Sequence, residues 1–283
     1  MTELKNLMAR KAMRAVAGGM LGLWLASPAV AAPVSVATYD FTGSTLAAAE
    51  VGVASLSAID PLGLNAFLAD TVFGTPKTVY RFAGNASPPS QQAGLELNTT
   101  SLLSGTAYSV DLVFSFDSDN RSWKRILDAS NRQSDNGFYV EPGHKLQIFP
   151  VGNGPDFWTF GEYHRVTMTN DGVGHVTAYL DGAFQFDLIT TVMDFATYGA
   201  ANPDHLLTFF ADNVVSGGLG EFVSGKVSLI RLYDFELDSG GVGDIGGGGE
   251  GSSVPEPATL VLFLVGLGIA GGFLMKRRSQ AIS

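Results

Sequence analysis

The stretch 108–116 reads YSVDLVFSF, and its alternation decides the fold class of this chain. Apolar side chains stand at positions 108, 110, 112, 114 and 116, with Ser109, Asp111 and Ser115 between them. Residues two apart on a strand face the same way, so the pattern predicts a long strand with one buried face.

Similar short strands are predicted on both sides of this one. The candidates are 79–83, 94–98, 125–129, 137–141, 145–149, 163–169, 174–180, 183–188, 206–211 and 225–235. Asp181-Gly182 is a dipeptide that tolerates positive φ at both central positions of a tight turn, so the strands around it form a hairpin. Only 47–50 and 64–70 favour short helical turns. The sequence therefore predicts an all-β fold, a two-sheet antiparallel jelly-roll sandwich.

Composition limits the classes of function. Residues 32–253 hold ten Lys and Arg against 25 Asp and Glu, a net charge of −15. An acidic surface repels the phosphates of nucleic acid and of anionic lipids, so we expect neither as a partner. The chain has no cysteine, which excludes disulfides, zinc thiolate sites and cysteine nucleophiles. One folded domain, 32–238, fits this length.

The first 31 residues have the pattern of a secretory signal peptide. Four basic residues precede an apolar stretch at 15–26, and Ala29-Val30-Ala31 is a small-x-small cleavage site. We predict cleavage after Ala31. An uncleaved N-terminal anchor is the alternative, but the apolar stretch is short for a membrane span.

The C-terminal end has the pattern of a membrane anchor. A glycine-rich stretch at 239–253 predicts a flexible linker that buries no apolar area. Val254-Pro255-Glu256-Pro257 follows, then an uncharged apolar run at 258–275, long enough for a transmembrane helix. Lys276, Arg277 and Arg278 come next and would stay on the cytoplasmic side.

This three-part tail, 254–283, resembles the PEP-CTERM sorting signal of Gram-negative bacteria. The resemblance implies recognition by an exosortase-type membrane peptidase and cleavage near the Pro-Glu-Pro box. It also implies an inner-membrane anchored precursor, a transient state, followed by release to the cell envelope or an extracellular polysaccharide matrix. The signal determines where the protein is sorted and carries no activity of its own.

A second resemblance covers about residues 37–238. Tyr39-Asp40-Phe41, the strand at 108–116, the stretch 163–168, the hairpin Tyr179-Leu180-Asp181-Gly182 and the closing strand to Tyr233-Asp234 occur in one order. Together they resemble a laminin-G-like, concanavalin-A-like domain. That resemblance implies a sandwich that binds glycans or proteins.

We expect no enzymatic activity. Glucanases with this fold place two catalytic carboxylates on one strand in a Glu-x-Asp-x-x-Glu pattern, which this sequence lacks. Its four histidines are dispersed and accompany no nucleophile elbow. A glycoside hydrolase or lyase on the same fold is the alternative.

Calcium is the one cofactor that the sequence suggests. Asp117, Asp119 and Asn120 cluster after the central strand, and Asp40 and Asp234 would meet if the first and last strands pair. Hard cations take such oxygen ligands. Asp and Asn are also good turn formers, and that interpretation is favoured for any single cluster.

Aromatic residues in loop-like sequence are the candidate ligand contacts: Trp123, Phe157, Trp158 and Tyr198. An exposed ring can stack on a sugar face, but burial at the edge of a Phe-rich core is the favoured interpretation for each residue. Arg121, with Lys124 and Arg125, could meet an acidic polysaccharide; the alternative is that these cations neutralise Asp117, Asp119 and Asp128.

The preferred hypothesis is a non-enzymatic, exported envelope or matrix protein that binds a polysaccharide or protein ligand. A purely structural role, without any saturable ligand, is the third possibility.

Overall fold

The computed structural model of the protein describes residues 32–215 and 217–247. Within these residues the chain forms short strands, two α-helices and two 3-10 helices, Pro89–Gln91 and Gly199–Ala201. The strands are β1 Ala37–Tyr39, β2 Ser57–Ile59, β3 Ala66–Val72, β4 Thr75–Phe82, β5 Gly94–Asn98, β6 Tyr108–Phe116, β7 Lys124–Asp128, β8 Gly137–Val140, β9 Lys145–Phe149, β10 Gly152–Phe157, β11 His164–Asn170, β12 His175–Leu180, β13 Ala183–Ile189, β14 Leu206–Phe209 and β15 Gly225–Tyr233. The α-helices are α1 Phe195–Tyr198 and α2 Ser239–Gly247.

The strands form two antiparallel sheets. Sheet A has the order β13-β12-β11-β6-β15-β4-β3, with β1 paired to β15. Sheet B has the order β10-β9-β8-β7-β14-β5-β2. The predicted all-β, two-sheet antiparallel sandwich is therefore confirmed.

The inward side chains of both sheets make one core, as period-two alternation requires. From β6 the predicted face 108, 110, 112, 114 and 116 is buried in this core. Phe114 stacks on Trp158 with ring centroids 4.9 Å apart, and Phe82 stacks on Phe210 at 4.1 Å. Aromatic packing of this kind supplies much of the apolar burial that a chain without disulfides needs.

Several elements differ from the sequence prediction: residues 47–50 form no helical turn, and strand β2 was not predicted. Residues 64–70 contain most of strand β3 and no helical turn, because β3 pairs with β4 along its whole length across the turn at Phe73-Gly74. The strand β10 was not predicted, since its sequence GNGPDF shows no alternation. Its glycines permit a close approach to β13: a Cβ at Gly154 would lie 2.5 Å from Gln185 Oε1.

The glycine-rich segment also differs from the expectation of an unstructured linker. Its first nine residues form α2, and Val242 and Ile245 are only 2% and 8% exposed. The expectation that this segment buries no apolar area is therefore wrong for 239–247.

No helix within 32–215 and 217–247 is long and apolar enough to cross a membrane. The predicted signal peptide at 1–31, the sorting residues 254–257 and 276–278, and the transmembrane helix at 258–275 lie outside the described residues.

Candidate ligand-binding groove at one end of sheet A

Three neighbouring strands of sheet A, β4, β6 and β15, have a terminus at the same end of the sandwich. Gly225, the first residue of β15, is in register with Phe82 at the end of β4 and with Phe116 at the end of β6. The residues that follow β4 and β6 and those that precede β15 therefore come together, although they are far apart in the sequence.

These three segments enclose an open groove of about 330 Å³. Its lining is mostly polar and consists of Arg81, Gly84, Asn85, Ala86, Asp117, Ser118, Phe222, Val223 and Ser224. A volume of this size suits a small ligand or one or two sugar units.

An ion pair forms one wall of the groove. Arg81 Nη2 lies 2.8 Å from Asp117 Oδ2, and the two side chains are 32% and 30% exposed. Such an exposed pair adds little to stability, but it fixes a donor and an acceptor side by side.

Backbone contacts close the base of the groove. Gly84 N donates to Ser224 Oγ over 3.2 Å, and the Asp117 amide donates to Ser224 O over 2.9 Å. A Cβ at Gly84 would lie 2.4 Å from Gln91 O, so a larger residue cannot replace this glycine without moving the backbone. The groove is thus built on rigid strand ends.

The lining residues provide hydrogen-bond donors and acceptors for sugar hydroxyl groups. A guanidinium, an amide and hydroxyls can donate, while a carboxylate and the same hydroxyls can accept. Asp117 is the single carboxylate among the lining residues, so the groove lacks the pair that glycoside hydrolysis uses.

The loop after β6 is held by charges beside the groove. Asp119 lies 3.3 Å from Lys124 Nζ and 2.9 Å from His144 Nε2. The backbone amide of Arg121, followed by the side chains of His144 and Lys124, lowers the pKa of Asp119. Lys124 is buried, with its ammonium 4.8 Å from the ring centroid of Phe160.

Of the predicted ligand contacts, Arg121 is exposed on this loop and Trp123 is half-buried. The Trp123 ring packs edge-on against Tyr139 at 5.5 Å and Phe149 at 5.1 Å. Neither Arg121 nor Trp123 lines the groove.

The prediction of Trp158 as a ligand contact is wrong, because its side chain is 2% exposed and belongs to the core. Tyr198 lies at the end of α1, outside the groove lining. It is half-buried, and its hydroxyl donates to Val192 O over 2.8 Å.

Within the predicted basic cluster, the two buried cations neutralise carboxylates. Lys124 pairs with Asp119, and Arg125 lies 3.4 Å from Asp128 and 3.0 Å from Asp212. Asp117 pairs instead with Arg81. An acidic polysaccharide has no access to Lys124 or Arg125, since both are 0% exposed.

Arg125 anchors the segment that leads into the groove. Its amide donates to Glu221 O over 3.1 Å, and the Glu221 amide donates to Asp212 Oδ2 over 3.0 Å. Phe222 and Ser224, which line the groove, follow directly. Burial, and then the charges of Asp212 and Asp135, raise the pKa of Glu221 to about 8.

The predicted meeting of Asp40 and Asp234 is wrong. β1 and β15 do pair, but antiparallel, with Ala37 opposite Leu232 and Tyr39 opposite Ile230. Asp40 and Asp234 therefore lie at opposite ends of the strand pair. Asp234 accepts from the backbone amide of Ser104 over 2.7 Å.

The calcium hypothesis for Asp117, Asp119 and Asn120 stays a prediction. Both carboxylates pair with cationic side chains, and the Asn120 amide donates to Phe222 O over 3.2 Å. Among 32–215 and 217–247, no group of three or more His, Asp or Glu residues is placed to hold a metal.

We expect millimolar calcium to change the melting temperature by less than about 1 °C, because binding would have to break these ion pairs. Calorimetry with calcium and with EDTA measures this. A rise of several degrees, reversed by EDTA and lost in Asp119→Asn, would instead establish the site.

The sequence analysis missed three groove residues, Arg81, Asn85 and Ser224. Arg81 lies within β4, whereas Asn85 and Ser224 lie in loops beside strand ends, and no local pattern links the three. Only the pairing of β4 with β15 brings these residues together, and the sequence does not show that pairing.

The profile of the PEP-CTERM protein-sorting motif matches residues 253–278. No curated protein matches the chain in sequence. Among solved structures, domain 4 of AbnA, a GH43 extracellular arabinanase from Geobacillus stearothermophilus in complex with arabinotriose, aligns with a TM-score of 0.54 and 17% identity. The alignment covers 77% of this chain and all of that domain.

The botulinum neurotoxin serotype C1 binding domain aligns at 11% identity and a TM-score of 0.49, over 77% of this chain and 53% of that one. The binding domain of botulinum neurotoxin DC, in complex with rat synaptotagmin II, aligns at 10% identity and 0.49, over 75% and 51%. The chain thus spans about half the length of these toxin domains.

The described domain is an all-β, two-sheet sandwich. It belongs to a chain with a PEP-CTERM sorting motif, which implies an exported protein, recognition by an exosortase-type peptidase and a membrane-anchored precursor sorted to the cell envelope.

Proposed function

We propose that the protein is a non-enzymatic glycan-binding module of the cell envelope or extracellular matrix. It is released from its membrane anchor by cleavage at the Pro-Glu-Pro box. The observation that carries the proposal is the groove at the end of sheet A, in which Arg81 and Asp117 present a paired donor and acceptor.

Three features support glycan as the ligand. The groove is polar and open, and its donors and acceptors can form hydrogen bonds with sugar hydroxyl groups. The sorting motif directs the protein towards the compartment where polysaccharides accumulate. The AbnA domain with the same sandwich architecture holds arabinotriose, so such a sandwich can carry an oligosaccharide site.

The finer assignment, a laminin-G-like or concanavalin-A-like domain, is part of this proposal. It is supported by the order of the sequence motifs and by the two-sheet antiparallel architecture.

Binding is favoured over hydrolysis by the single carboxylate of the groove. A retaining or inverting glycosidase needs two carboxyl groups across the scissile bond. Turnover of any polysaccharide, lost on replacement of one carboxylate, would overturn the non-enzymatic assignment.

Replacement of Asp117 with Ala should weaken glycan binding by roughly tenfold or more, because a charged hydrogen-bond acceptor is lost and Arg81 is left unpaired. The processed protein, purified from an exosortase-bearing host, is screened on a glycan array, and the best ligand is then titrated by calorimetry.

Asp204→Ala is the matched control, since Asp204 is exposed and outside the groove lining. Equal affinities of the two variants would contradict the placement of the site in the groove. An array without any saturable ligand would favour the purely structural role.

A further inference from the structure

The helix α2 has a composition that does not favour a helix. Its sequence, SGGVGDIGG, contains five glycines in nine residues. Each glycine lowers helix stability because the unfolded backbone has more freedom to lose. Contacts with the sandwich must therefore hold this segment in place.

Those contacts lie on the outer face of sheet A. Val242 and Ile245 pack in a buried cluster with Tyr179 of β12, Tyr233 of β15 and Leu237. The start of the helix is capped by Asp238, whose carboxylate accepts from the Gly241 amide over 2.7 Å. The cluster is separate from the main core.

The covered surface continues on both sides of the helix. Tyr179 meets Phe184 edge-on at 5.9 Å, and Tyr233 meets Phe235 at the same distance. Phe184 and Phe235 are 56% and 40% exposed. α2 thus covers the middle of an aromatic strip whose two ends stay open.

Opposing contributions act on docking. Two aliphatic side chains gain from burial, while five glycines and the ordering of nine residues oppose it. Substitutions that change either contribution should therefore shift the balance between the docked and undocked segments.

Docking also sets the length of the tether to the sorting motif. With α2 docked, six residues, 248–253, separate it from Val254 and span at most about 20 Å. With α2 released, the fifteen residues 239–253 span up to about 50 Å. A large membrane peptidase needs room between the folded domain and the bilayer.

We propose that α2 is a strap whose release from sheet A lengthens the tether and so controls access of the membrane peptidase to the Pro-Glu-Pro box. The inference rests on the exosortase processing in the proposed function. Processing is slow while the strap is docked, and release of the strap permits processing.

The test compares precursor processing in the full chain, expressed in an exosortase-bearing host and followed by pulse–chase. Gly243→Ala favours the helix, since an added Cβ there meets nothing within 4 Å. It should shift docking about fourfold towards the helix and slow processing by a similar factor. Gly249→Ala, beyond the last residue of α2, is the matched control and should change nothing.

The opposite change removes an apolar contact. Val242→Ser should accelerate processing several-fold, whereas Val173→Ser, at a residue 83% exposed, should not. Hydrogen exchange at 239–247 must rise in Val242→Ser and fall in Gly243→Ala, which shows independently that docking changed.

A nine-residue Gly-Ser insertion after Gly249 separates tether length from unfolding. It should accelerate processing as much as Val242→Ser does, with hydrogen exchange of α2 unchanged. Equal processing rates in all variants would overturn the strap, and so would an insertion without effect. Absence of processing in every variant, wild type included, would instead contradict the proposed function.

Discussion

Replacement of Arg125 with Ala should lower the free energy of unfolding by about 3–5 kcal/mol, the usual result of removing one partner of a buried ion pair. Arg125 is 0% exposed, and so are both of its carboxylate partners, Asp128 and Asp212. Without the guanidinium, both carboxylates lose the ion pair that they make with Arg125 in the interior.

The guanidinium does more than neutralise charge. It donates to the carbonyl of Asn136 over 2.8 Å and of Ser134 over 3.1 Å, and it lies 4.3 Å from the ring centroid of Tyr139. Gly137 leaves room for it, since a Cβ there would lie 2.0 Å from Arg125 Nη1. A methionine of similar length cannot restore these bonds.

Thermal and denaturant unfolding of the processed protein measure this effect, and we expect the melting temperature to fall by roughly 10 °C. Arg121→Ala, four residues away and exposed, is the control and should stay within about 0.5 kcal/mol of wild type. The double variant Arg125→Met/Asp212→Asn should recover part of the loss, because it removes one buried charge with its partner. A loss below about 1 kcal/mol in Arg125→Ala would show that the network contributes little.

Much of the architecture was predictable because strand physics is local. The β6 pattern fixed which of its residues face the core, and Asp181-Gly182 placed the β12–β13 hairpin. These features depend on neighbours in the sequence, so the sequence alone suffices for them.

The groove and the buried network were not predictable in the same way. Arg81 and Ser224 come together only because β15 pairs with β4. Local alternation does not specify the order of the strands in a sheet. Arg125 resembles Arg121 in the sequence, yet one is buried and the other exposed. Long-range pairing decides which charge enters the interior.

The helix α2 is a further element that the local sequence does not predict. Its glycines correctly indicate low intrinsic helix stability, but Val242 and Ile245 find an apolar surface on sheet A. Tertiary contacts can override propensity, and this surface is formed by strands more than fifty residues apart.

The stability of the domain should decrease as the pH rises from about 4.5 to about 8, and Glu221 is the main cause. Burial first, then Asp212 and Asp135, raise its pKa to about 8 from an ordinary value of 4.5. In this window the folded protein keeps a proton that the unfolded chain has released. Stability is then lost with rising pH, and above pH 8 the loss is complete.

Glu221→Gln, which stays neutral at every pH, should remove most of this dependence. We expect wild type and variant to melt at similar temperatures at pH 5.5, and the variant to melt about 5 °C higher at pH 8.5. Asp204→Asn makes the same change of charge at an exposed site and should follow the wild-type curve. Parallel curves for wild type and Glu221→Gln would show that Glu221 is ionised in the folded protein at neutral pH.

Ionisation of Glu221 should also weaken ligand binding in the groove. Glu221 precedes Phe222 and is tied to β7 through its own carbonyl and to Asp212 through its amide. Ionisation of Glu221 beside Asp212 and Asp135 places repelling charges under the segment that supplies Ser224. Glycan affinity of the wild type should therefore fall between pH 6 and pH 9, while Glu221→Gln keeps its affinity. An equal fall in both proteins would assign the pH dependence to the ligand and not to this network.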